Sequence, residues 1–157
     1  MKRTYLKLKE GDIFKIIHET EVRYFQYFYT DMNYLGGDLV WVFNYQKATD
    51  NIDMIMSSGY KFYLYTTIQP GVKMKLFEKI GNASIPKEMH YIPKFRYTGD
   101  DLTKEIEKWT IIQGDKKEII GKDLTEEQKK LPFAAINFPW DTIKNMILGY
   151  DSFMKIN

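Results

Sequence analysis

The sequence predicts an α+β protein that is mostly β: a strongly curved or barrel-like antiparallel sheet with a C-terminal helix packed on it. Three observations lead there. Aromatic residues make up 16% of the chain, and aromatic side chains favour the pleated, half-buried surface of a sheet. Apolar stretches of strand length recur through the first two thirds, bounded by Gly, Pro, Asn or Asp, which are turn signals. In the last third the apolar spacing changes to the helical period.

Taken in order, Gly11-Asp12 is a turn signal and Ile13-Phe14-Lys15-Ile16-Ile17 is a short strand. Glu19-Thr20-Glu21 reads as the tip of a hairpin. Arg23 to Tyr29 returns, with aromatics on both faces, which predicts a central strand covered on both sides. Asp31 to Asp38 is a second turn cluster, and Leu39 to Tyr45 is a third strand, again apolar on both faces. Asp50 is the expected cap of a short helix through Met56, with Gly59 as its stop. Tyr60 to Ile68 is a strand, Pro70-Gly71 a turn, and Val72 to Ile80 a further strand ended by Gly81-Asn82.

From 83 to 104, Pro86, Pro93 and Gly99-Asp100-Asp101 predict a loop-rich surface connection. Glu105 to Ile112 and Lys117 to Lys122 form a hairpin around the Gly114-Asp115 turn. Thr125-Glu126-Glu127-Gln128 fits a capping box, opening a helix of about two turns that Leu131-Pro132 stops. Pro139-Trp140-Asp141 opens the last helix, with Trp140, Ile143, Met146 and Ile147 on one face and Gly149 as its C-terminal cap. A helix this short gains its stability from docking on the sheet.

At 157 residues and 18.7 kDa the chain fits a single domain, 1–157, able to bury roughly 68–70% of its unfolded surface. The absence of cysteine excludes a disulfide framework, thiolate metal sites and a cysteine nucleophile. Lys and Arg number 23 against 21 Asp and Glu, a net charge of +2 spread over both halves. Such a balance gives no electrostatic argument for nucleic acid or an anionic membrane, and neither is expected as a partner. The basic start, Met1 to Lys9, has no apolar stretch behind it, so it is not read as a signal peptide. No apolar run approaches the ~20 residues that span a bilayer. A cytoplasmic protein is expected.

Candidate chemistry is sparse. His18 and His90 are the two histidines, and neither stands in a metal-binding spacing. His18 reads as a hairpin-end residue, and His90 lies in the loop-rich connection. Asp100, Asp101, Glu105 and Glu107 form the densest acidic stretch. They read either as a solvated loop and exposed strand face, or as an acidic contact surface for a basic partner. Their spacing and glycine placement do not fit an EF-hand. No nucleophile elbow, phosphate-binding loop or dinucleotide-binding glycine motif is present, so neither a cofactor nor a catalytic residue is assigned. Lys2, Arg3, Lys7 and Lys9 alternate with Tyr5, Leu6 and Leu8. That pattern suits an edge strand whose lysines discourage edge pairing, or a track for a phosphate backbone. Trp41, Trp109 and Trp140 are expected in the core or between sheet and helix.

Several segments, in the same order, resemble the immunity protein 26 family of bacterial polymorphic toxin systems. Lys9-Glu10-Gly11-Asp12-Ile13-Phe14 is similar to that family's opening K-x-G-D-x-F turn and strand. Tyr24 to Tyr27, Asp31 and Leu39 to Phe43 look like its next two strands. Phe62 to Thr67 through Gly71, and Lys79 to Asn82, are similar to its middle portion. Phe138-Pro139-Trp140-Asp141 through Gly149-Tyr150 resembles its closing helix, although here the Trp precedes the acidic residue. The 83–104 connection has no counterpart among these motifs.

The resemblance implies a non-enzymatic immunity protein that binds a cognate toxin domain and occludes its active site. Two other readings stand beside it. One is a small β-barrel that binds or cleaves nucleic acid, suggested by the Gly11 to Phe14 opening and the basic N-terminus. The other is a ligand-binding module, suggested by the abundant aromatics.

Overall fold

The computed structural model describes residues 5–33, 36–98 and 108–148. The first strands are β1 (Asp12–His18), β2 (Glu21–Thr30), β3 (Asp38–Phe43) and β4 (Tyr60–Thr66). They pair in sequence order as an antiparallel meander, with Phe14 opposite Phe25, Phe25 opposite Val42, and Trp41 opposite Tyr63. Helix α1 (Ile52–Ser57) fills the connection between β3 and β4. Its cap is Asn51 rather than Asp50, because the Asn51 carboxamide oxygen accepts from the Met54 N–H. Gly59 follows it at φ 73°, the left-handed conformation in which glycine stops a helix.

The reading of 70–80 as a turn and strand is corrected by the structure. Helix α2 (Ile68–Lys73) holds Pro70 and Gly71 inside it, and strand β5 (Glu78–Asn82) starts later. Pro70 lies in the first helical turn, where a backbone N–H has no helical partner to lose. Asp38 supports the same turn by accepting from the Ile68 N–H at 2.9 Å. Gly71 is required because a Cβ there would lie 2.1 Å from the Phe77 ring.

Beyond β5 the chain forms β6 (Phe95–Tyr97), β7 (Trp109–Gln113), β8 (Lys116–Gly121), β9 (Ile136–Asn137) and α3 (Pro139–Leu148). β6 is a strand inside the stretch expected to be loop. The large sheet runs β5-β1-β2-β3-β4-β9 and the small one β6-β7-β8. The fold is therefore mostly β with a helix on the sheet, as predicted. The large sheet is open rather than a closed barrel, and β9 joins β4 in parallel.

Alternating side chains give the large sheet two buried faces. On one, Phe14, Phe25, Val42 and Leu64 meet Ile143 and Met146 of α3, and Phe77 beside α2. On the other, Ile13, Tyr24 and Phe43 lie under Ile55 of α1. Farther along that face, Leu39, Trp41 and Tyr65 lie under Phe95 and Ile112 of the small sheet. Each fully buried side chain of this size contributes ~1.5–3 kcal/mol, so the two-sided strands dominate the stability. That bears out the double burial expected of the second and third strands.

Three further expectations are revised. Residues 5–9 are not a strand; Leu6 and Leu8 instead pack against the core beside α3. The capping box forms, with Gln128 N–H donating to Thr125 Oγ1 and Thr125 N–H to Gln128 Oε1. It leads into a single 3-10 turn, Gln128–Lys130, because Leu131 is already extended ahead of Pro132. Trp140 is 55% exposed, while Pro139, Thr142, Ile143 and Met146 form the buried face of α3. The expected cap Gly149 lies outside the described residues. No helix among the described residues is long and apolar enough to cross a membrane.

Candidate functional site

The K-x-G-D-x-F residues form a structural knot. Asp12 is fully buried and accepts from the Lys9 N–H and the Asn82 carboxamide, each at 2.9 Å, with Lys79 Nζ at 3.2 Å. Gly11 donates its N–H to Tyr27 and accepts from the Ala83 N–H. A Cβ on Gly11 would sit 2.2 Å from the Ala83 carbonyl oxygen, and its φ is +90°. The motif thus ties β1 to β2 and β5.

An open cleft of ≈ 310 Å³ lies beside β4, lined by Trp41, Tyr60, Lys61, Phe62, Tyr63, Met89 and Lys130. The β3–β4 register places Trp41 opposite Tyr63, with ring centroids 5.2 Å apart, edge to face. The register shifts between Val42 and Phe43, and Tyr60 stacks on Phe43 at 4.8 Å while staying 6.0 Å from Trp41. Tyr91, 47% exposed, closes on Trp41 at 5.6 Å.

Polar groups hold this aromatic cluster in place. The Tyr60 hydroxyl donates to Gln26 Oε1, and Gln26 Nε2 donates to the Ala83 and Gly11 carbonyls. The Tyr63 hydroxyl donates to the Lys94 carbonyl. Burial pushes the Tyr60 phenol up to about 12, with the Glu88 carboxylate adding to the effect. Burial, helped by Tyr91, does the same for Tyr63. Both phenols therefore stay neutral at ordinary pH. Trp41 is 2% exposed, and its buried indole N–H has no hydrogen-bond partner among the described residues. A buried donor left unmade costs ~1–3 kcal/mol, so an acceptor reaching it would relieve that cost. Two ammonium groups, Lys61 and Lys130, add positive charge to the lining.

The cleft borders β4 ahead of its pairing with β9. Tyr65 and Thr66 pair with β9, and the Asn137 carboxamide donates to the Tyr65 carbonyl at 2.9 Å. Before β9 the chain turns away, as the Ala134 N–H donates to the Arg96 carbonyl. Among the described residues no strand pairs with the outer side of Tyr60 to Leu64. The arrangement suits holding an apolar side chain, and its ammonium groups offer hydrogen-bond donors, while the Tyr60 and Tyr63 hydroxyl hydrogens are taken by Gln26 and Lys94.

Asp100, Asp101, Glu105 and Glu107, the acidic candidates, lie outside the described residues, as do Lys2 and Arg3. His18 ends β1 with its ring 6.2 Å from Trp140, edge on. His90 Nε2 lies 2.6 Å from Glu10 Oε1, and its ring meets Phe28 at 5.0 Å. The two histidines thus have different neighbours, His18 at the end of β1 and His90 in the connection after β5. Among the described residues no group of three or more His, Cys, Asp or Glu is placed to hold a metal ion. Sequence reasoning missed the cleft; its signal was the unbroken Tyr60-Lys61-Phe62-Tyr63 run, with a cation in the middle of an aromatic strand.

Comparison of this chain with protein-family models, with curated proteins and with solved structures finds no match.

Proposed function

We propose that this chain is a non-enzymatic immunity protein of the bacterial cytoplasm, which binds a cognate polymorphic toxin domain and occludes its active site. The observation that carries the reading is the aromatic cleft beside β4, with the Trp41 indole N–H, which has no hydrogen-bond partner among the described residues, at its wall. Tyr and Trp are the side chains that most often anchor protein interfaces, because they bury large area with few rotatable bonds. The ordered motifs that resemble the immunity protein 26 family support taking the partner to be a toxin domain. Occlusion needs no chemistry from this chain, only a complementary surface of roughly 1,200–2,000 Å².

The test is co-expression with each toxin C-terminal domain encoded beside the gene, read by survival and by co-purification. Survival together with a stoichiometric complex supports the reading. Toxicity undiminished by this protein for every neighbouring toxin domain removes it.

A further inference from the structure

We infer that the cleft beside β4 is an anchor pocket for one aromatic side chain of a partner protein, with a carboxylate residue next to it. The ring sits among Trp41, Tyr60, Tyr63 and Met89, and the carboxylate meets Lys61 and Lys130. The inference deepens the reading above and rests on it in taking the partner to be a protein.

The lining gives the ring its place. Trp41 meets Tyr63 at 75° and Tyr60 at 53°, so the wall presents ring faces and ring edges together. A further ring finds edge-to-face and offset contacts against such a wall, which add to the apolar area it buries. The Met89 thioether adds a soft contact of the kind that sulfur makes with aromatic edges. Tyr60, Tyr63 and Met89 are only partly buried in the free protein, so each still has surface to cover.

Charge selects the neighbour of that ring. Lys61 and Lys130 line the cleft, and among the described residues no carboxylate does. Neither lysine takes part in an ion pair among the described residues. Glu88 acts on the Tyr60 phenol without lining the cleft. Glu126 feels Lys130 but is itself held by Lys129 at 2.9 Å. Both cleft lysines are exposed, ready for a carboxylate that the partner brings. Such complementary charge fixes register and rejects wrong partners.

Shape and polar groups favour a side chain over a free ligand or a base. Small-molecule sites bury roughly 70–90% of their ligand, whereas this cleft is open and holds ≈ 310 Å³. A side chain carried on a partner has its outer side covered by the partner itself. A nucleic-acid base brings ring nitrogens and exocyclic groups that need partners when buried. The Tyr60 and Tyr63 hydroxyl hydrogens are already spent on Gln26 and Lys94, which leaves the ammonium groups as the side-chain donors of the lining. A hydrocarbon ring needs no such partner.

The first experiment needs no toxin domain. It follows the NMR signal of the Met89 methyl group, which an aromatic ring entering the cleft displaces. Phenylacetate carries the ring and carboxylate of the proposed occupant, and it is expected to move this signal with a Kd of roughly 1–10 mM. Phenylacetamide, which lacks the charge, should bind about threefold more weakly. Lys61→Gln combined with Lys130→Gln should erase that difference, and both substitutions fall on exposed side chains. An unmoved Met89 signal at the solubility limit, equal binding of the two compounds, or tighter binding of adenosine monophosphate overturns the inference.

The second experiment uses a neighbouring toxin domain that binds wild type. In that complex the Met89 methyl signal is expected to move, and the double lysine variant to bind at least tenfold more weakly. A tight complex that leaves Met89 unmoved and tolerates both substitutions overturns the anchor pocket while leaving the toxin-binding reading intact. Where no neighbouring toxin domain binds, that reading falls, and the phenylacetate titration still decides whether the cleft recognises a ring beside a carboxylate.

Discussion

The hydroxyls of Thr66 and Thr142 meet 2.5 Å apart, 76 residues apart in the chain and both fully buried. Thr142 also reaches the carbonyls of Asn137 and Phe138. This contact joins α3 to the strand that the cleft borders. Thr142→Val keeps the shape but leaves the Thr66 hydroxyl short of a partner in the core. The expected cost is ~1–3 kcal/mol, measured as a lower urea midpoint. The double variant with Thr66→Val should recover part of that loss, because neither side then keeps a stranded hydroxyl.

Arg96 is nearly buried, with its guanidinium 4.1 Å from the Phe133 ring centroid and 5.5 Å from that of Trp109. Its backbone holds Pro132 and Ala134 on either side of that ring. A desolvated cation over aromatic faces contributes ~2 kcal/mol, and a planar guanidinium stacks where an ammonium does not. Arg96→Lys should lower stability by ~1–2 kcal/mol. A lower urea midpoint is the check.

Gly71→Ala sets two effects against each other. Alanine improves helix propensity by ~1 kcal/mol, but its methyl would overlap the Phe77 ring, which is itself 2% exposed in the core. Overpacking of this kind costs ~1–3 kcal/mol, and a contact of 2.1 Å puts the site at the severe end. We expect a net loss of stability in thermal unfolding. Phe77→Leu in the same chain should restore part of it by making room.

The alkaline limb of the stability profile should report the cleft. Tyr60 and Tyr63 are held at about 12 against an ordinary 10.0. The folded state keeps their protons where the unfolded state releases them. Their contribution is complete below pH 10 and disappears as pH rises through about 12. Tyrosinate absorbance should therefore lag the model phenol curve until the protein unfolds. Tyr63→Phe should flatten the loss of stability across that window.

The meander was legible because each strand is bracketed by turn residues and carries aromatics on both faces. Gly11-Asp12, Glu19-Thr20 and Gly114-Asp115 all turn the chain where the sequence places a turn. The 68–76 stretch was not legible, since Pro-Gly reads locally as a turn. What makes it helical is tertiary: Asp38 supporting its first turn and Phe77 closing over Gly71. The face of α3 was misread for a related reason. Periodicity counts Thr142 as polar and Trp140 as core, yet a hydroxyl partner on β4 lets threonine be buried and leaves the indole outside. The cleft could not be read at all from local pattern. It exists only once Trp41 and Tyr63 oppose each other across strands and Met89 and Lys130 arrive from distant turns.

Strand order also dictates the sequence of events as the chain is made. β1 to β4 lie beside their chain neighbours, so each of those pairings closes a short loop, the kind of contact that forms early. β9 reaches β4 only from 72 residues further on, as the Asn137 contact to Tyr65 shows. Until Ile136 and Asn137 leave the ribosome, a nascent meander shows the whole outer side of β4, Tyr65 and Thr66 included. In that interval another nascent copy is the nearest strand able to dock there, and such encounters lead to aggregates. Lys61, in the middle of that edge, then acts as a gatekeeper: two copies pairing edge to edge would bring like charges together.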